Sequence, residues 1–263
     1  MYINSNANKI GFFDSGVGGL SVLACFRKVL PNENILYYGD TLHLPYGNKT
    51  KKELIGYAKN ILNFMKSKNV KAVVIACNTS SAQAYDTIKN LYEFPIYPII
   101  QCCAKNVGEK YNRVGVFATE ATVKSGKYSE ELKKVNMHVE VKEVAAKNWV
   151  GIVEKKIDNI EQAKLKIQNE IAEMLEFKPD KIILGCTHYP YLLDEFEKYA
   201  PRDLFIDPAE IFVEYIRNDL EQKGLLNPSF ECGTEDFFVS ANPKEFVQNA
   251  KIFYKIKTLP TLV

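Results

Sequence analysis

Two cysteines stand where apolar runs give way to polar turns. Cys77 lies in "KAVVIACNTS" (71–80) and Cys186 in "KIILGCTHYP" (181–190). Taken alone, either cysteine reads as a small packed hydrophobe. The matching contexts change that reading. Each thiol follows a short apolar run with the character of a buried strand, and each precedes a polar turn, Asn-Thr in one case and Thr-His in the other. Ligands of open α/β sheets bind beyond the carboxyl ends of the strands, where both thiols would fall. Two like groups on opposite faces of one small substrate suit inversion at a carbon acid. One takes a proton from one face, the other returns a proton to the opposite face, and the roles exchange in reverse. A thiol suits both roles, because its unperturbed pKa of about 8.5 lets small shifts supply thiolate near neutral pH. The turns after the cysteines would offer backbone N–H groups at helix N-termini, which bind carboxylates and favour thiolate.

Further polar residues stand in similar turns. Asp14 and Ser15 open "DSGVGG" (14–19). A phosphate cradle is disfavoured there: the spacing is G-x-G-G, and an aspartate at its mouth would repel phosphate. Asp14 better suits an ammonium group, or it holds a neighbouring proton donor in place. "PYG" (45–47) is a turn that exposes backbone N–H groups and one aromatic ring, and it reads equally well as an ordinary loop. His188, two residues after Cys186, is placed to tune that thiol.

These groups need a scaffold. Strands are expected at 8–14, 34–40, 72–76, 97–100, 113–117 and 181–185. Helices are expected from Leu20 to about Val29, from a "TKKE" capping box at 50–53 to about Ser67, and between Asp158 and Phe177. Apolar strands alternating with helices predict an α/β protein with mostly parallel sheets. The chain also echoes itself. "NKIGFFDSG" at 8 returns as "NRVGVFATE" at 112, 104 residues on, and the cysteine context returns 109 residues on, from 77 to 186. Two similar α/β domains about a pseudo-twofold axis would bring the thiols to one cleft.

Composition narrows the alternatives. With 263 residues the chain accommodates one large domain or two ordinary ones. Its 34 basic and 32 acidic side chains give a net charge of +2, so charge makes no case for a nucleic-acid or membrane partner. No apolar run approaches 18 residues, and "MYINSNANKI" lacks the apolar core of a secretion signal, so a cytoplasmic location is expected. None of the six cysteines forms C-x-x-C, and the three histidines form no H-E-x-x-H, so neither a disulfide scaffold nor a metal site is expected. Cys25, Cys102, Cys103 and Cys232 carry no motif, and the "FFV" (237–239) and "FYKIK" (253–257) runs read as core.

The segments "IGFFDSGVGGLSV", "YYGDTLHLPYG", "ACNTSSA", "ATEATVKSGKY" and "GCTHYP", in that order from residue 10 to residue 190, resemble the glutamate racemases of the cofactor-independent aspartate/glutamate racemase family. The resemblance implies two α/β domains with the active site between them. It implies interconversion of L- and D-glutamate without cofactor or metal, supplying D-glutamate for peptidoglycan. Carried over by motif, Cys77 and Cys186 are the acid/base pair, with Asp14 and His188 assisting. Asp14, Ser15, Tyr46, Gly47, Asn78, Thr79, Thr122, Thr187 and His188 match substrate-binding positions. Thr119 shares a turn with Thr122, and Glu154 in "WVGIVEKK" matches an acidic residue near the family's site, although that stretch departs from the usual pattern. The alanines of "ATEAT" stand where many members have glycines. The resemblance fades beyond about residue 210. The family's chain path implies one domain of 1–98 plus 208–263 and another of 99–207. Family members are often homodimers, but no stretch here specifies an arrangement. Rival readings are a racemase for aspartate or another amino acid, a thiol-nucleophile acyltransferase or hydrolase, and a non-catalytic protein that closes on an acidic ligand.

Overall fold

The apolar runs form two sheets in which every strand pair is parallel. The structure is a computed structural model that describes residues 5–155 and 159–263. In chain order the strands are β1 (Ile10–Asp14), β2 (Ile35–Gly39), β3 (Ala72–Ile75), β4 (Ile96–Pro98), β5 (Arg113–Ala118), β6 (Glu140–Ala145), β7 (Lys181–Gly185), β8 (Phe205–Ile206), β9 (Glu235–Val239) and β10 (Thr261–Leu262). One sheet has the order β10-β9-β2-β1-β3-β4 and the other β6-β5-β7-β8. The unit β2-β1-β3-β4 thus has the same strand order as β6-β5-β7-β8: second, first, third, fourth. The echo in the sequence is an echo of topology.

Register puts the two cysteines in equivalent places. Phe13 of β1 pairs with Ile75 of β3, and Ala118 of β5 pairs with Gly185 of β7. Carried on by two residues, that register sets Ser15 beside Cys77, with Asp14 one residue before, just as it sets Thr119 beside Cys186 one residue past the other pair. β1 and β3 are buried throughout, and β7 is buried from Ile182 onward, as expected of parallel strands covered on both faces. The echo extends to packing. Gly11 in β1 and Gly115 in β5 hold the same strand position. A Cβ built on either would lie 2.6 Å from a methionine sulfur, Met65 for Gly11 and Met174 for Gly115. Both methionines come from the covering helices, Lys51–Ser67 and Ile160–Glu176.

Several expectations are met closely. The first helix runs Leu20–Val29, and the "TKKE" capping box forms, with the Thr50 hydroxyl accepting from Glu53 N while Glu53 accepts from Thr50 N. Asp158, the first residue of the third expected helix, lies outside the described residues. One expectation needs correction. Residues 97–100 are not a strand throughout: β4 ends at Pro98, and Ile99 begins the helix Ile99–Gly108. Ile99, Ile100, Cys103, Ala104 and Val107 are all buried at helical spacing, a pattern that a four-residue apolar window cannot separate from a strand. β6 has no apolar run because no residue along it is fully buried.

Each glycine–methionine contact leaves no room for a branched side chain. Gly11→Val and Gly115→Val should each destabilise the fold by about 1–3 kcal/mol through overpacking. Urea unfolding of the two variants is the check, and wild-type midpoints in both would discount the contact.

Candidate active site

The site begins where the strands stop. Cys77 caps the helix Asn78–Ile88, its Sγ accepting from Ser80 N at 3.5 Å. A thiol at a helix N-terminus faces the partial positive charge of unpaired N–H groups. Cys186 occupies the turn between β7 and the short 3-10 helix Tyr189–Leu192. Both thiols line one cavity of about 270 Å³ between the sheets.

The first sheet supplies a buried acid. Asp14, only 1 % exposed, accepts from Gly16 N at 2.9 Å. Burial raises its carboxyl above the usual 3.8, opposed by the Gly16 hydrogen bond and the His188 charge. Burial, followed by the charge of Asp14, pushes the Cys77 thiol up to about 12, against hydrogen bonding from Ser80. Both effects favour the protonated form of Cys77.

The second sheet supplies a cation. His188 Nδ1 lies 3.9 Å from Cys186 Sγ, and its Nε2 meets Glu154 Oε1 at 3.0 Å. Burial opposes the imidazolium, but Cys186 and Glu154 outweigh it and raise the pKa from 6.5 to about 10. Glu154 is delivered by the short helix Trp149–Val153. Trp149 anchors that helix: its ring packs on Phe117, Tyr189 and Phe196, and its Nε1–H donates to Glu170 at 2.6 Å. Phe253 packs edge-on against the His188 ring, so the 253–257 run that reads as core supplies apolar backing to the site.

Hydroxyl and amide groups complete the wall. Ser15, Tyr46, Gly47, Asn78, Thr79 and Thr187 all line the cavity. Thr122 is not among the lining residues, although its motif matches a substrate-binding position. It is fully buried, 3.0 Å from the Thr119 hydroxyl and 3.4 Å from that of Thr79, so Thr119 takes the lining place and Thr122 backs it. The Thr79 and Thr119 hydroxyls meet at 2.9 Å across the two units. Tyr46 is held from behind by Asp40, which accepts its hydroxyl together with Ser240 Oγ at 2.7 Å. Sequence reasoning did not name Asp40, because its partner Ser240 lies 200 residues away. It also passed over Lys147, which lines the cavity and pairs with Glu120 at 3.2 Å. Nothing in the sequence around Lys147 distinguishes it from a surface lysine.

The other cysteines stay apart. Cys102 and Cys103 are buried in the helix Ile99–Gly108, Cys25 is half-buried, and Cys232 is exposed. Among the described residues, one acidic group has spacing suited to a metal: Asp86, Glu130 and Glu131. The Lys127 ammonium sits with these three carboxylates, 2.7 Å from both Asp86 and Glu130.

Known proteins resemble this chain in sequence and fold. The family model described as Asp/Glu/Hydantoin racemase matches residues 21–216. A glutamate racemase of Picosynechococcus sp. is 37% identical over 249 residues, covering 94% of this chain and 89% of its own. Among solved structures, glutamate racemase from Francisella tularensis in complex with D-glutamate matches with a TM-score of 0.87 and 30% identity, covering 98% of both chains. Glutamate racemase from Thermus thermophilus in complex with beta-chloro-D-alanine matches with a TM-score of 0.85 and 31% identity, covering 98% of this chain and 97% of that one.

The raised pKa of His188 has a measurable consequence. Between pH 6.5 and about 10 the folded state holds a proton on His188 that the unfolded state has lost. The stabilisation is complete below pH 6.5 and disappears as pH rises through about 10. The melting temperature of the wild type should therefore fall across that window more steeply than that of His188→Gln. Parallel curves would contradict the assignment.

Proposed function

The chain belongs to the Asp/Glu/hydantoin racemase family, and from that premise we propose that it interconverts L- and D-glutamate by proton transfer between Cys77 and Cys186. It is an isomerase, and its product D-glutamate serves peptidoglycan synthesis. One observation carries the two-thiol mechanism: Cys77 and Cys186 line one cavity from equivalent positions in two units of equal strand order.

The chemistry balances without a redox partner. In the L-to-D direction Cys186, as thiolate, takes the α-proton, breaking one C–H bond and forming one S–H bond. The electron pair left on the α-carbon delocalises into the adjacent carboxylate. Cys77, as thiol, gives its proton to the opposite face and becomes the thiolate. Thiol and thiolate have then exchanged places, and the site is set for D-glutamate. His188, held by Glu154, faces Cys186 and completes that half of the site. Asp14 stands beside Cys77 and suits the substrate ammonium, whose positive charge would offset the carboxylate's effect on the thiol. Ser15, Tyr46, Gly47, Asn78, Thr79 and Thr187 hold the substrate, with Thr122 acting through Thr119.

The same reading divides the chain into 1–98 with 208–263 and 99–207, which accords with the return of β9 and β10 to the first sheet. It places the enzyme in the cytoplasm, and no helix among the described residues is long and apolar enough to cross a membrane. A homodimer is proposed from the resemblance alone.

Incubation of the purified protein with L-glutamate in heavy water tests the reaction. Chiral analysis should find D-glutamate, and mass spectrometry should find deuterium at the α-carbon. Binding without α-exchange would identify a closing binding protein instead, and a trapped acyl-enzyme would identify a thiol acyltransferase.

The paired thiols have a separate test. Cys77→Ala and Cys186→Ala should each lose racemisation, because each lacks either the proton donor or the acceptor. Each should still eliminate a leaving group from one enantiomer of a suitable glutamate analogue, since elimination needs no proton on the opposite face. Cys77→Ala should process the L-analogue and Cys186→Ala the D-analogue. The same preference in both variants would sink the two-base mechanism.

A further inference from the structure

A buried amide beside the cavity has one end unused. Asn78 follows Cys77, is 3 % exposed and lines the cavity. Its Oδ1 accepts a 2.7 Å hydrogen bond from the Tyr128 hydroxyl, while its Nδ2 is buried without a partner. A buried donor left unpaired is costly, so it calls for a group that completes it. Tyr128 is fully buried and stands on the helix Lys127–Val135, in the unit that carries Cys186. A Cβ on Gly185, the residue before Cys186, would lie 2.9 Å from the Tyr128 ring. One side chain thus packs beside one thiol and hydrogen-bonds the residue next to the other.

We propose that Tyr128 is a positioning residue that locks the Asn78 amide so that Nδ2, and not Oδ1, is presented to a carboxylate of the substrate. The inference rests on Asn78 as a substrate contact in the racemase reading. The two ends of an amide have nearly the same shape but opposite hydrogen-bonding character. Turned over, Asn78 would offer an oxygen to a carboxylate and repel it. Tyr128 opposes that rotation: with the amide turned over its oxygen could accept from Nδ2, but its buried O–H would lose Oδ1, its acceptor among the described residues. Burial raises its pKa well above 10, so the hydroxyl keeps its proton across the working range. The donor is also already stripped of water, so little desolvation remains when a carboxylate arrives.

A double-mutant cycle separates positioning from simple packing. Tyr128→Phe keeps the ring and removes the hydroxyl. It should lower kcat/KM by roughly 3- to 10-fold when Asn78 is present, in keeping with the loss of one hydrogen bond between neutral groups. In the Asn78→Ala background the same change should cost nothing further in kcat/KM, while any effect on melting temperature persists. Asn78→Asp keeps an acceptor for Tyr128 but replaces the donor with an oxygen, and it should fall below Asn78→Ala. Equal losses from Tyr128→Phe in both backgrounds, or wild-type kinetics in Asn78→Asp, would overturn the proposal. The cycle repeated in Kd for D-glutamate by calorimetry decides it independently of turnover. A wild type that binds but does not racemise would count against the reaction, and the Kd cycle would still support or refute the role of Tyr128.

Discussion

Two proton-transfer groups can serve opposite faces of one substrate only if the sheets that carry them approach to a fixed distance. Gly18 marks one point of close approach. A Cβ there would fall 2.3 Å from Thr187 Oγ1 and 2.5 Å from the His188 ring. The glycine-rich turn after β1 is therefore pressed against the opposite unit. It clears space for the polar turn of the opposite unit. Ser21, the second residue of the helix Leu20–Val29, has its hydroxyl 2.8 Å from the Gly18 carbonyl oxygen and 3.1 Å from that of Thr187, between the two turns of the same contact. Tyr37 holds the turn from behind by donating to Gly16 O.

Around this contact the two halves of the site are alike in topology and unlike in charge. Cys77 sits beside a buried carboxylate, and Cys186 sits beside an imidazole paired with a second carboxylate. Like charges raise the cost of a thiolate and an opposite charge lowers it. Burial and the Asp14 charge therefore bias Cys77 toward its thiol form. A substrate ammonium beside Asp14 would reduce that bias. In the proposed racemisation, equal chemistry in both directions would thus be assembled from unequal surroundings, with the substrate supplying part of the balance.

Beside the apolar core that the two units share, polar ties cross the cleft. Thr79 meets Thr119, Gln83 donates to the Ala121 carbonyl at 2.9 Å, and Lys127 reaches Asp86 at 2.7 Å. Gln83 and Asp86 both lie on the helix that Cys77 caps, so these contacts orient that helix against the second unit. Hydrogen bonds fix the angle of approach, and the apolar residues around Trp149 fix the position of Glu154.

The doubled α/β plan was legible in the sequence, because fully buried parallel strands must be continuous apolar runs and both units repeat them. The two cysteines, Asp14 and His188 were legible for a related reason: they stand at fixed offsets from the ends of those strands. The helical start at Ile99 was not legible, since four apolar residues fit either period. Nor were Asp40 behind Tyr46, Tyr128 behind Asn78, or Thr119 in front of Thr122. Each of these depends on a hydrogen bond or a packing order between segments far apart in the chain. Local patterning records which face of an element must be buried. Which polar atom meets which across a cleft is decided only when the two sheets close on one another.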